Sequence, residues 1–132
     1  MSTESAPVTT SGGPPPVRRR DSILAAMELF RDVDPGITIT GVVTFLYVCE
    51  NEGITMTELA SVSGLRTATA SRSIRALGVP GARGSLPPAL GLVDVRNFGP
   101  HLNSRTLFLT ESGRALKDRL NGFIRSAVTI DA

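Results

Sequence analysis

The stretch that decides the fold is Thr55-Met56-Thr57-Glu58-Leu59-Ala60-Ser61-Val62-Ser63-Gly64-Leu65, continuing as Arg66-Thr67-Ala68-Thr69-Ala70-Ser71-Arg72-Ser73-Ile74-Arg75-Ala76-Leu77. Thr55 followed three residues later by Glu58 is a capping-box pattern, in which each side chain satisfies an exposed backbone N–H of the other residue. It predicts a short helix over 56–62 that buries Leu59 and Ala60. Ser63-Gly64-Leu65 predicts a tight turn, because Gly64 can adopt the left-handed conformation that ends a helix. In the second half, Ala70, Ile74 and Leu77 fall at i, i+4 and i+7, the spacing of a buried stripe on a helix over 66–77. Arg72 and Arg75 then face outward, with Thr69 and Ser71 flanking them. Thr67 lines up with the stripe but lies in the first turn, where it and Arg66 stay within reach of solvent. Two short helices, a glycine turn and a basic, polar outer face describe a helix-turn-helix.

Working outward from it, residues 78–91 hold four glycines and three prolines and read as a loop, with a brief helical turn expected at Pro88 to Leu90. Residues 92–98 and 105–110 are rich in β-branched and aromatic side chains and predict two short strands joined by a hairpin loop at 99–104. Leu107 and Leu109 share the inward face, while Thr106 and Phe108 point the other way. A last helix begins at Thr110-Glu111-Ser112, with Leu116, Leu120, Phe123, Ile124 and Ala127 along one face. On the N-terminal side, Asp21 or Ser22 can cap a helix over 21–33 whose apolar face is Ile23, Leu24, Met27 and Phe30, widened by Leu29. Asp34-Pro35-Gly36 stops that helix. A second helix over 39–52 carries Ile39, Val42, Val43, Phe45, Leu46, Val48 and Cys49 on most of its faces, which predicts a central, buried position. Residues 1–17, rich in Ser, Thr, Gly and Pro, have little to bury and read as a disordered tail. The arginines that follow, Arg18, Arg19 and Arg20, serve either nucleic acid or the solvation of the start of the fold.

The 132 residues suit one domain, 18–132, and 41% hydrophobic content is enough for a core. No apolar run reaches the ~18 residues of a membrane span, and no secretory signal pattern opens the chain. The single cysteine, Cys49, excludes an internal disulfide and fits a reducing cytoplasm. It is either a redox sensor or inert packing. The net charge of +2 hides an uneven distribution. From Leu59 to Val93 there is no Asp or Glu, and up to Thr110 the arginines 66, 72, 75, 83, 96 and 105 face Asp94 alone, a local excess of five positive charges. Such a field suits a phosphate backbone through Coulomb attraction and counterion release, and charge alone fits a solvated basic surface equally, so position has to decide. One His, one Cys, no metal-ligand cluster and no phosphate-binding glycine loop argue against an enzyme, and no cofactor is expected.

The order of these elements resembles the MarR family of multiple-antibiotic-resistance-type regulators over roughly residues 37–120. The residues that carry the resemblance are Thr57-Glu58-Leu59-Ala60, Gly64-Leu65, Thr69-Ala70-Ser71-Arg72, Leu77, Gly91-Leu92-Val93, and Leu109-Thr110 followed by Gly113. Two departures stand out: residues 78–91 are longer than the usual link to the wing, and the wing's usual Asp-x-Arg is Asn103-Ser104-Arg105 here. The resemblance implies a mainly α fold with a small β-hairpin wing, a winged helix-turn-helix flanked by N- and C-terminal dimerisation helices. It implies a sequence-specific regulator of transcription that binds double-stranded DNA as a homodimer, on a near-palindromic operator, with a small-molecule effector as a further partner. In such a fold the recognition helix enters the major groove and the wing lies near the minor groove. The expected DNA-binding residues are Arg66, Thr67, Thr69, Ser71, Arg72 and Arg75 on the helix, and Arg96, His101, Asn103 and Arg105 on the wing. Of these, His101 is equally a solvated loop residue. The alternative reading is a winged-helix module that binds protein rather than DNA.

Overall fold

The computed structural model describes residues 13–16, 20–97 and 105–131. Five helices and three short strands follow one another: α1 (Ser22–Val33), α2 (Ile39–Glu50), β1 (Ile54–Thr55), α3 (Met56–Ser63), α4 (Thr67–Leu77), β2 (Val93–Asn97), β3 (Arg105–Leu109) and α5 (Glu111–Arg125). Local chemistry sets most of these boundaries. Asp21 caps α1 by accepting from the Leu24 N–H at 2.9 Å, and the Thr38 hydroxyl caps α2 through the Gly41 N–H at 3.0 Å. At α3 both halves of the Thr55–Glu58 capping box form, at 3.1 and 2.9 Å. Gly64 ends α3 at φ +73°, a conformation in which a side chain would be strained.

The strands form one antiparallel sheet in the order β1-β3-β2, with Ile54 opposite Leu107 and Val93 opposite Leu109. The core lies where α2, α3, α4 and α5 meet the inner face of this sheet. Phe30 packs edge-on against Phe45 with ring centroids 5.9 Å apart. Leu59, Ile74, Val93, Leu107 and Leu109 are buried with them. The one buried polar side chain among the described residues, Thr44, is satisfied by donating to the Thr40 carbonyl at 2.7 Å.

Four features depart from the sequence reading. The helix α2 ends at Glu50 and is not enclosed: Gly41, Val42, Thr44, Phe45 and Val48 are buried, while Ile39 is 70% exposed and Val43 and Leu46 lie open beside it. An all-round apolar sequence says that several faces can be covered, and this chain covers one. The two-residue strand β1 was invisible because nothing but its pairing with β3 marks it. No helical turn forms at residues 88–90, where the chain runs in irregular turns. Finally, α5 stops at Arg125, so Ala127 falls outside it; the Val128 N–H and C=O instead bind the Ser22 hydroxyl and N–H at 2.8 and 2.9 Å. That exchange ties the far end of the chain to the start of α1.

The seam between wing and α5 is tight. Thr110 accepts from the Gly113 N–H at 3.0 Å and donates to the Gly91 carbonyl at 2.6 Å. Gly113 lies directly over the backbone of Leu92, and a Cβ there would run into the Leu92 carbonyl and crowd Leu109. An interior helical Gly→Ala change ordinarily gains up to ~1 kcal/mol from propensity. Here overpacking against backbone outweighs that gain, so Gly113→Ala is expected to lose about 1–3 kcal/mol in urea denaturation; a gain would contradict this packing. Cys49 packs at the edge of the core, where burial pushes its thiol up to about 11, Lys117 nearby pulling weakly the other way. A thiol that keeps its proton at neutral pH is a poor nucleophile. Alkylation of folded protein by iodoacetamide at neutral pH should therefore run at least about tenfold slower than that of free cysteine and accelerate toward alkaline pH; a rate equal to that of the free thiol would contradict it.

Candidate nucleic-acid interface

The apolar stripe of α4, Ala70, Ile74 and Leu77, is buried as its spacing requires. A residue two positions on from Ala70 is turned about 200° around the helix, so Arg72 stands opposite the stripe, exposed and beside the equally exposed Ala68. Among the described residues, neither Arg66 nor Arg72 takes part in an ion pair or side-chain hydrogen bond. Arg66 is the N-cap of α4 but supplies no side-chain cap, which leaves the backbone N–H groups of the first turn unclaimed by a side chain. Thr67 is exposed next to them, and Thr69 and Ser71 are half-buried on opposite flanks.

Arg75 has an occupation that sequence reasoning did not suggest. It is half-buried, and its Nε donates to the Gly84 carbonyl at 2.7 Å, so its guanidinium is drawn toward the loop that follows α4. No local pattern announces this contact.

Two grooves flank the helix. One, of about 270 Å³, lies between α4 and the α1–α2 turn and is lined by Asp34, Thr38, Thr69 and Arg72 among others. The other, of about 490 Å³, separates α4 from the wing; Ser71 and Arg75 form one wall, Val95 and Arg105 the other, and Arg83 stands at its margin. Arg105 lies on the same sheet face as Leu107, pairs with Asn97 across the hairpin, and so points its charge toward α4 beyond the end of the core. Arg96 is on the opposite face. Its guanidinium sits 3.9 Å from the centre of the Phe108 ring, and its Nε is 3.4 Å from Asp94 Oδ2. Asp94-Val95-Arg96 thus supplies the acid-positions-arginine arrangement that is missing around Arg105, on the facing strand. His101 and Asn103 fall outside the described residues, as do Arg18 and Arg19. Arg72 therefore stands on the outer surface of α4 with Thr69 and Ser71 on its two flanks, Arg66 and Thr67 at the exposed N-terminal end, Arg105 across the groove and Arg96 on the outer side of the wing.

No family model and no curated protein matches the sequence. Solved structures do match the fold. The chain is similar to Staphylococcus aureus MarR in complex with salicylate and kanamycin (TM-score 0.58, 15% identity, 77% of this chain and 60% of that one). It is similar to RV1404 from Mycobacterium tuberculosis (TM-score 0.58, 20% identity, 80% and 65%). A third likeness is to a MarR transcriptional regulator from Methanosarcina mazei (TM-score 0.54, 20% identity, 77% and 73%). The chain spans under two thirds of the length of the first two. Mainly helical, with a three-stranded antiparallel sheet closing on the helix-turn-helix, it has the winged-helix fold of the MarR transcriptional regulators.

Proposed function

We propose that this protein is a MarR-type transcriptional regulator that binds duplex DNA as a homodimer, placing α4 in the major groove and its wing beside the adjoining backbone. The observation that carries the reading is the outer surface of α4: Arg72 exposed and unpaired among the described residues, opposite a buried Ala70-Ile74-Leu77 stripe, on a stretch of chain without acidic residues from Leu59 to Val93. A planar guanidinium matches either a guanine edge or a phosphate. The N–H groups of the first turn of α4, with the Thr67 hydroxyl, suit a phosphate oxygen. Arg105 and the Phe108-supported Arg96 serve the wing side.

Dimerisation follows from what the single chain leaves open. Ile23 is 61% exposed on α1, with Leu24 and Met27 beside it, and Ile124 is 70% exposed on α5, the helix that packs against α1. Exposed apolar side chains on two helices that pack together suit a twofold partner, and a twofold pair would read half-sites about one DNA turn apart. The MarR likeness also brings a small-molecule effector into the reading, salicylate being bound in the staphylococcal structure. Function in the reducing cytoplasm, without cofactor or catalysis, completes the assignment.

Duplex fragments selected from the source genome, titrated by filter binding across a range of salt, test the reading. Affinity should fall steeply with salt, as it does when several phosphates are neutralised. Arg72→Ala should cost roughly ten- to a hundredfold in affinity for the selected duplex while leaving the thermal melt unchanged, because the side chain supports nothing in the fold. Salt-independent binding would point instead to a winged-helix module that docks on protein, and undiminished binding by Arg72→Ala would contradict the place given to the outer surface of α4.

A further inference from the structure

Between α4 and β2 the chain makes an excursion whose course is fixed by its own hydrogen bonds. The Ala82 N–H donates to the Val79 carbonyl at 3.0 Å, the Ser85 N–H to the Ala82 carbonyl at 3.1 Å, and the Ser85 hydroxyl to the Val79 carbonyl at 2.8 Å. These bonds close residues 79–85 into a small ring. The ring is fastened to α4 at two points: Arg75 Nε on the Gly84 carbonyl at 2.7 Å, and the Leu86 N–H on the Arg75 carbonyl at 2.9 Å. Arg83 lies at its tip, exposed, and among the described residues takes part in no ion pair or side-chain hydrogen bond. The ring sits on the same flank of α4 as the wing, and Arg83 stands with Arg75 and Arg105 around the groove between them. Among the described residues, the one carboxylate at that groove, Asp94, is 3.4 Å from Arg96. An exposed arginine with no partner among the described residues is available to an anion from outside the chain. A phosphodiester backbone running along the groove between a helix in the major groove and the wing would meet all three arginines' surroundings at once.

We propose that residues 79–86 form a fixed third DNA-contacting element beside α4 and the wing, in which Arg83 binds a backbone phosphate and Arg75 is a positioning residue that holds the ring against α4. This rests on the reading of α4 as a duplex-DNA-binding helix. The loop adds affinity that is blind to base sequence, and Arg75 contributes through Arg83 rather than through a contact of its own.

The test is filter binding of the full chain to a random-sequence duplex of about 30 base pairs, long enough for two half-sites, across a range of salt, for the wild type, R72A, R83A, R75A and R75A/R83A. The wild type should bind with a steep salt slope. R83A should weaken binding several-fold and lower the slope by about one for each chain engaged, with an unchanged thermal melt. R75A should lower the slope likewise, and the double variant should have the slope of R83A alone. A wild-type slope in R83A, or tighter binding by R83A, would overturn the phosphate contact, the latter by showing that the loop obstructs the duplex. A slope in R75A/R83A lower than in either single variant would overturn the positioning role of Arg75. Wild-type protein that does not bind duplex DNA at all, or R72A that binds as tightly as the wild type, would overturn the underlying reading of α4; weakened R72A beside R83A with the wild-type slope would overturn the loop contact alone.

Discussion

The last carbonyls of α4 govern how the rest of the molecule is arranged. A helix ends with carbonyl groups that have no partner inside it, and buried ones must find partners elsewhere. In this chain the partners come from the returning loop: the carbonyls of Arg75, Ala76, Leu77 and Gly78 accept from the N–H groups of Leu86, Leu90, Leu92 and Gly91, at 2.8–3.0 Å. Because Leu92 is bonded to the end of α4, Val93 must enter β2 beside it, and the wing is fixed relative to the helix that it accompanies. The Leu92 carbonyl in turn receives the Thr110 N–H at 3.1 Å, and α5 starts against the same strand, close enough that only glycine fits at position 113. The helix α4, the wing and α5 are thus held through one short length of backbone.

A second anchor works on the other side of the sheet. Glu52, in the turn after α2, accepts from the Leu109 N–H at 2.8 Å and from Arg114 Nη2 at 3.1 Å. It occupies the edge of β3 just past the point where β1 stops pairing, and holds the first residues of α5 to the end of α2. Among the described residues, the two anchors leave the outer surface of α4 free of structural duties except at Arg75, and this division allows Arg72 to be exposed and unpaired there.

What was legible in the sequence was what short-range chemistry decides. The Thr55–Glu58 box, the Gly64 turn and the Ala70-Ile74-Leu77 stripe each depend on residues within one or two turns of each other and together mark the helix-turn-helix, while the β-branched and aromatic runs at 92–98 and 105–110 mark the wing. What escaped was decided by residues far apart in the chain. Glu52 meets Leu109 and Arg114, Ser22 meets Phe123 and Val128, and β1 exists only through β3. Arg75 shows how a correct pattern can leave a role open: its helical position does turn it away from the core, yet the Gly84 carbonyl draws its side chain along the flank. The second helix shows the converse, since apolar residues on several faces do not say which of them the same chain will cover.

The proposed contact of α4 with base edges is tested most directly by dimethyl sulfate footprinting of a bound, genome-selected duplex, because guanine N7 is reached only through the major groove. The account predicts guanines protected in two patches about ten base pairs apart. A stably bound duplex in which every guanine N7 reacts as it does in free DNA would contradict it.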